Sequence, residues 1–428
     1  MGNFFFVKIQ VCFCIFVKMN ILYQVLVFFA SKVLIVLQYF NKKIKLFVEG
    51  RKNTFLKIAE LKNEKTVWFH AASLGEFEQA IPIIEELKKN HKHYKILVTF
   101  FSPSGYEVRK NYSLADVICY LPLDSKSNAR KFIKEVNPSF VIFIKYEFWP
   151  NFLNELKKKE IVTILVSGIL RENQVFFKWY GGFMRKSLTA FNHFFVQNTT
   201  SKKLLNSINL TNVTVAGDTR FDRVSKILEQ DNNLDFIAEF KNNQYTVVAG
   251  STWKEDEELL VHYINNEASE HEKFIIAPHN INSDAVLELQ KSIHKKTILY
   301  SAKADKSLKE FQVFIIDTMG ILTKIYAVAD VAYVGGGLKT GLHNILEPAT
   351  FGIPVVIGNQ YQKFKEAVDL VSLKGCVSVH HQKDFSSIFT KLYKEQGFRK
   401  STGNINKKYI QENRGATKLI MNYLNTKL

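Results

Sequence analysis

Cysteine is scarce, with only four in 428 residues. Cys12 and Cys14 sit inside an apolar leader, and Cys119 and Cys376 are far apart. The sequence therefore offers neither a disulfide framework nor the paired spacing of a zinc site, which fits a reducing compartment. Acidic residues are also in short supply. Forty Asp and Glu against 58 Lys and Arg leave a net charge of +18. Such a surplus suits nucleic acid, an anionic membrane surface or a phosphorylated substrate. Nucleic acid ranks last, because the lysines are dispersed and no RNA- or DNA-binding motif occurs. Internal repeats and long low-complexity tracts are missing as well. What remains is an ordinary apolar content of 46%, in a chain long enough for two domains.

The longest apolar run lies near the N-terminus. Residues Ile21–Phe40 carry one interior charge, Lys32, and have about the length that crosses a bilayer core. Lys42, Lys43, Lys45, Arg51 and Lys52 follow at once, so the positive-inside rule puts the rest of the chain in the cytoplasm. No small-residue cleavage site is evident, which argues for a retained anchor. Lys8, Lys18 and Lys32 could snorkel, so a helix lying flat in the interface stays open beside a true span. Met19 is an alternative start.

From Thr66 onward, short apolar runs alternate with longer amphipathic segments. The expected strands are 67–70, 96–99, 117–120, 140–144, 162–167, 194–197 and 213–216, then 246–249, 274–277, 313–316, 331–334 and 354–357. Helical patterns such as 80–90 and 256–265 separate them. This alternation predicts an α/β chain with two doubly wound, Rossmann-like domains. The expected division is an anchor at 1–45, a first domain at 46–229, a polar linker at 230–244 and a second domain at 245–428. The last helix, near 408–428, could pack back on the first domain. Nearly every expected strand ends in a polar or Gly-rich cluster. Ligands of open α/β sheets bind outside the carboxyl ends of the strands, so the expectation is two ligands meeting in an interdomain cleft.

Each cluster admits a structural and a chemical reading. Ser73-Leu74-Gly75-Glu76 has the spacing of a capping box, and Glu76 also suits a general base for a sugar hydroxyl. Glu107 has the same spacing after Ser104 and no other credential. Glu147, among the aromatics of Lys145-Tyr146-Glu147-Phe148-Trp149-Pro150, is either a functional carboxylate of restricted solvation or a surface partner of Lys145 or Arg171. Arg220 could hold an anionic leaving group, or pair with Asp218 or Asp222. Gly335-Gly336-Gly337 through Asn344 joins a strand to a helix. It is not G-x-G-x-x-G, and Leu342 stands where a Walker A loop needs Lys. Glu347, three residues after Asn344, also has capping spacing. His70, His279 and His343 read as hydrogen-bonding residues, not metal ligands.

Ten segments in order, among them HAASLGEFEQAIP, FFSPSGYE, LPLD, KYEFWPN, GDTRFDRV, AGSTWKEDE, APHN, DTMGIL and VGGGLKTGLHNILEPATFGIPVV, resemble the Kdo (3-deoxy-D-manno-octulosonic acid) transferases of Gram-negative bacteria. The resemblance runs from about Thr66 to Asp369, and the anchored N-terminus also fits. It implies a GT-B fold, CMP-Kdo as donor and the bisphosphorylated lipid A precursor as acceptor at the cytoplasmic face of the inner membrane. It implies Glu76 as general base, and Glu147 and Arg220 as stabilisers of the transition state. Pro278, His279, Met319, Gly320, Ile321, Asn344, Ile345, Leu346 and Glu347 match segments that hold CMP. Members use neither metal nor cofactor, in keeping with the missing D-x-D-like pair. Arg220 stands where many relatives carry Lys, and the triple-Gly segment varies in the family. Two other readings remain: a GT-B enzyme using a UDP-sugar on a lipid acceptor, suggested by Glu347-Pro348 through Pro354, and a membrane-tethered binder of an anionic glycolipid.

Overall fold

The computed structural model describes residues 2–428, with side chains from residue 19 onward. The chain forms two compact units. Residues 1–223 and 415–428 make the first, and residues 224–414 make the second.

The first unit holds seven parallel strands: β1 (Thr66–Ala71), β2 (Lys95–Phe100), β3 (Val117–Tyr120), β4 (Phe140–Ile144), β5 (Val162–Gly168), β6 (His193–Val196) and β7 (Val213–Val215). Their order is β3-β2-β1-β4-β5-β6-β7. The central strands are buried on both faces, which is why they read as unbroken apolar runs. Trp68, Phe132, Phe143 and Phe152 fill one side of this sheet. Phe69, Phe77, Ile83 and Phe100 fill the other. The order reverses at β1, so the crevice between β1 and β4 is the switch point of this sheet.

The second unit repeats the plan with β8 (Tyr245–Thr252), β9 (Glu272–Pro278), β10 (Thr297–Leu299), β11 (Val313–Ile315), β12 (Val331–Val334), β13 (Val355–Gly358) and β14 (Cys376–Val379). All pair in parallel, in the order β10-β11-β9-β8-β12-β13-β14. Its switch point lies between β8 and β12. The twelve expected strands are all present, with ends shifted by at most a few residues. The sheets add β10 and β14, both at an edge. Each is short, and neither offers a continuous buried run.

The domain division differs from the one expected. It falls between Arg223 and Val224, not across 230–244. The polar stretch contains a helix, Asp235–Lys241, whose Ile237 and Phe240 are buried in the second unit beside Phe314. The final helix, Ala416–Asn425, belongs to the first unit. Its Ile420, Met421 and Leu424 join the core around Ile83 and Leu87. Asp222 receives the backbone N–H groups of Gly415 at 2.6 Å and Thr417 at 2.7 Å, which caps that helix. Asp222 is thereby committed to the fold.

The N-terminal helix α1 spans Gly2–Leu37, and α2 spans Lys42–Lys52. Residues Met19–Leu37 are long and apolar enough to cross a membrane, with a mean hydropathy of 2.0. One face of this stretch is packed. Tyr23 Oη donates to Asp124 Oδ2 at 2.7 Å, and Gln24 Nε2 donates to Asn151 Oδ1 at 2.8 Å. Asp124 also accepts the N–H groups of Asn151 and Phe152, so the LPLD carboxylate caps the helix Pro150–Lys158. The opposite face of α1 exposes Leu22, Leu26, Phe29, Val33 and Val36.

Candidate active site

At the switch point of the first sheet, the segments after β1 and β4 bring their carboxylates to one edge. Glu76 lies in the first turn of the helix Leu74–Asn90. The capping-box geometry that its spacing predicts is not formed, because the Ser73 side chain makes no bond to the helix N–H groups. Instead Ser73 Oγ donates to Glu76 Oε2. Glu76 Oε1 lies 3.7 Å from Lys145 Nζ, with only 12% of the Glu76 side chain exposed. Lys145 itself has φ of 69°, a left-handed turn that costs a branched or long side chain energy and re-aims the chain leaving β4.

Two residues on, Glu147 is 7% exposed. Its Oε2 lies 3.0 Å from Nε2 of the fully buried His70 and 2.8 Å from the indole nitrogen of Trp149. The indole nitrogen is also 3.0 Å from His70 Nε2. One proton assignment satisfies the whole cluster. Trp68 donates to Thr99 Oγ1 at 2.7 Å, Thr99 donates to His70 Nδ1 at 2.8 Å, and His70 Nε2–H and Trp149 both donate to the Glu147 carboxylate. Glu147 is therefore not a surface partner of Lys145 or Arg171. It ends a buried hydrogen-bonded chain that begins inside the sheet.

Arg220 makes the pair with Asp218 that its spacing allows. Its Nε lies 2.9 Å from Asp218 Oδ2, and its terminal nitrogen 2.8 Å from the same oxygen. Asp218 is 5% exposed and also accepts from Gln79 and Gln197. The pair is thus partly desolvated and held from several sides, unlike an exposed ion pair. Gln79 Oε1, fully buried, has no hydrogen-bond partner. Volume alone does not mark this site. A cavity of about 800 Å³, lined by Phe55, Lys62, Lys65, Lys131 and Lys134, lies at the opposite edge of the sheet, beside Ser139 and the start of β1.

In the second unit, four separated segments come together at the carboxyl ends of β8, β9, β11 and β12. Pro278 ends β9, and His279 stacks on Trp253 with ring centroids 4.5 Å apart. His279 and His343 are also 4.5 Å apart, and Trp253 Nε1 donates to His343 Nε2 at 3.1 Å. Burial, with His279 as a lesser cause, pushes the His343 imidazole down to about 4. Burial lowers His279 as well. Met319, 76% exposed, and Gly320, with φ of 91°, form a turn, and Ile321 begins the helix Leu322–Ile325. Thr323 of that helix donates to Glu347 Oε2 at 2.7 Å, while Asn344 Nδ2 donates to Glu347 Oε1 at 3.0 Å. The helix that carries Glu347 starts at Leu346 after Ile345 and has only five residues, so Asn344 precedes it by two. A helix of five residues sums few peptide dipoles, so its N-terminus is a weak phosphate site.

The triple glycine is explained by backbone packing. A side chain at Gly335 would meet Ser251 O at 2.4 Å, and one at Gly337 would meet the Gly358 backbone nitrogen at 2.9 Å. Asp256 grips the same loop. It accepts from Gly336 N at 2.8 Å, Trp253 N at 2.9 Å and Tyr333 Oη at 2.6 Å. Sequence reasoning missed Trp253 and the partnership of His70 with Trp149. Their signal was position: each lies at a strand's carboxyl end, beside a residue already singled out. Among the described residues, no group of three or more His, Cys, Asp or Glu is placed to hold a metal ion.

A family model described as 3-Deoxy-D-manno-octulosonic-acid transferase (kdotransferase) matches residues 49–223, the whole of the first sheet. A 3-deoxy-D-manno-octulosonic acid transferase of Haemophilus influenzae is 26% identical over 374 residues, covering 84% of this chain and 86% of that protein. Over most of its length the chain is similar to the Kdo transferases. A second Kdo transferase, from Aquifex aeolicus, is 28% identical over 329 residues, covering 75% of this chain and 84% of its own length. On this likeness the chain is a glycosyltransferase. Its two parallel sheets have the GT-B form. MurG of Acinetobacter baumannii superposes with a TM-score of 0.51 at 11% identity, over 85% of this chain and 99% of that one, a likeness of fold alone.

Proposed function

We propose that this glycosyltransferase moves Kdo from CMP-Kdo to the bisphosphorylated lipid A precursor, with inversion, at the cytoplasmic face of the inner membrane. Two carboxylates at the switch point of the first sheet carry the reading. Glu76 is held by a hydroxyl and a cation instead of a helix start, and Glu147 by His70 and Trp149. Glu76 takes the proton of the acceptor hydroxyl as its oxygen attacks the anomeric carbon. The bond from that carbon to the phosphate oxygen breaks, and CMP departs with the electron pair. General-base assistance of this kind contributes roughly 10²–10⁴ in rate. Glu147 and Arg220 stabilise the charge that develops, each fixed in advance by buried partners, so little reorganisation is needed during the reaction.

The second sheet supplies the donor segments: Pro278-His279, Met319-Gly320-Ile321 and Asn344-Ile345-Leu346-Glu347. The contacts His279–His343 and Thr323–Glu347 support reading them as one nucleotide site. Glu347 suits the ribose hydroxyls, which a carboxylate can accept together. No resident metal or cofactor takes part in this reading, and the basic surplus meets the anionic leaflet and the acceptor phosphates. The exposed apolar face of α1 then lies in the lipid interface, while Tyr23 and Gln24 keep the helix against the first unit.

The test is incubation of the full chain with labelled CMP-Kdo and the lipid A precursor. Label in the lipid product supports the proposal. Turnover of a UDP-sugar instead, or lipid binding with no turnover of either donor, sinks it.

A further inference from the structure

Arg51 in α2 is a half-buried cation with no paired acid among the described residues. Its terminal nitrogens donate to the backbone oxygens of Phe47 at 2.8 Å and Phe101 at 2.7 Å. Its guanidinium carbon lies 3.5 Å from the centre of the Phe47 ring, 5.0 Å from that of Phe101 and 5.1 Å from that of Tyr120. Two carbonyls and three rings soften the burial of a charge without neutralising it. Nε has no partner, and a guanidinium carries more donors than these two acceptors use. Burial lowers the group to about 9, which leaves it cationic at neutral pH.

This cation lines a cavity of about 260 Å³ with Leu34 and Ile35 of α1, Phe47 and Val48 of α2 and Leu123 after β3 as apolar walls, and with Lys52, Ser31 and Asn128 as its other polar groups. A second cavity of about 470 Å³ continues along α1 past Val27 and Phe28, sharing Ser31, Leu123 and Asn128 with the first. Two ring contacts link the cation to Glu147. The rings of Phe101 and Trp149 are 4.6 Å apart, and the Trp149 nitrogen bonds Glu147.

We propose that this groove seats the lipid acceptor, its phosphate against Arg51 and an acyl chain along the apolar flank of α1. The inference rests on the glycosyl-transfer reading for the identity of the lipid. The grounds for the site are independent of it: a guanidinium with spare donors and no paired acid among the described residues, an apolar flank made by the segment suited to a membrane, and two ring contacts leading to Glu147. A guanidinium prefers phosphate to a neutral head, because the charge-assisted bonds are roughly twice as strong. A bilayer phospholipid would satisfy the charge too, but nothing about it requires closeness to Glu147.

The experiment measures binding by the full-length protein in neutral detergent micelles. The probes are the bisphosphorylated disaccharide lipid, its dephosphorylated form and phosphatidylglycerol. Arg51→Met is expected to weaken binding of the phosphorylated lipid by roughly ten- to a hundredfold, as expected for a lost charged hydrogen bond. Binding of the dephosphorylated form should change less than about twofold. Val48→Trp, which fills the groove without touching the charge, should weaken both disaccharide lipids, and it serves as the reading if Arg51→Met fails to fold. The proposal is overturned if a folded Arg51→Met protein keeps its preference for the phosphorylated lipid. It is equally overturned if phosphatidylglycerol binding falls to the same extent, or if Val48→Trp binds both lipids normally. Transfer from CMP-Kdo by the wild type is measured separately. Phosphate-dependent lipid binding without transfer would remove the functional reading and leave the groove standing.

Discussion

Trp253 Nε1 donates to His343 Nε2 across 3.1 Å, and that bond sets the tautomer of the imidazole. An indole nitrogen can only donate, so Nε2 carries the lone pair and Nδ1 the proton. Protonating His343 breaks the bond and charges a half-buried ring beside His279. Its folded pKa, about 4, is depressed below the ordinary 6.5. The unfolded chain therefore binds the proton first as pH falls, and the associated stability is present above about 6.5 and lost towards pH 4. His343→Gln does not titrate. The gap in unfolding midpoint between wild type and His343→Gln is expected to narrow steadily from pH 7 to pH 4. A gap that stays constant over that range would count against the assigned tautomer.

Glu147 and His70 form the second coupled pair. Glu147→Ala leaves the buried Nε2–H of His70 without its acceptor, at a cost of about 1–3 kcal/mol in stability. Glu147→Gln keeps an acceptor oxygen, so it should unfold near the wild-type midpoint while losing most of the transfer rate. Urea unfolding with parallel transfer assays separates the two. Equal destabilisation by both variants would mean that the charge, not the hydrogen bond, holds His70.

Glu347 is held at one oxygen by Thr323 and at the other by Asn344, an arrangement that presents a fixed acceptor. Glu347→Ala is expected to weaken CMP binding by about 1–3 kcal/mol, as for a lost polar contact in a site. Calorimetry with CMP alone checks this without requiring turnover. Unchanged affinity would move the nucleotide site elsewhere.

The two sheets were legible because their strands are buried on both faces and end in polar clusters. Ile142 and Val248 lie in runs that admit no other reading. The edges were not legible. β10 is three residues of which one is buried, and β14 is four residues whose two middle positions are half-buried, so neither gives a strand signal. The polar stretch 230–244 hid a helix because only Ile237 and Phe240 carry its buried face. Spacing alone could not choose between cap and base for Glu76, since a capping box and a carboxylate facing a crevice share one pattern. The pairing of His70 with Glu147 was out of reach for another reason: it joins residues 77 positions apart, brought together only by the adjacency of β1 and β4.

The membrane contact makes its own prediction. Deleting residues 1–40 should release the protein from vesicles and leave one cooperative unfolding transition for each folded unit, because the sheets begin at Thr66. Within α1, environment-sensitive probes at positions 26, 29 and 36, introduced with Cys12 and Cys14 replaced by serine, should report one shallow depth by lipid-borne quenchers. A helix that crosses the bilayer would give depths that change steadily from 26 to 36, and that outcome would replace the interfacial arrangement.

The sharpest prediction concerns Glu76, because the structure separates two roles that the sequence could not. Its carboxylate is engaged by Ser73 Oγ and faces Lys145, while the helix N-terminus goes without a side-chain cap. Glu76→Gln keeps the length and an oxygen that Ser73 can still reach, so the fold should be nearly unaffected. The amide cannot accept the acceptor's proton, so single-turnover transfer should fall by about 10²–10⁴. CMP affinity should stay the same, since the donor segments lie on the other sheet. Ser73→Ala supplies the control. A true capping serine would cost about 1 kcal/mol on removal. Here no helix bond is lost, so the unfolding midpoint should move less than that, while the transfer rate falls modestly through a less constrained Glu76. A fully active Glu76→Gln protein would end the general-base assignment. A Ser73→Ala protein destabilised by the full capping value would mean that the helix start, and not the carboxylate, is what Ser73 serves.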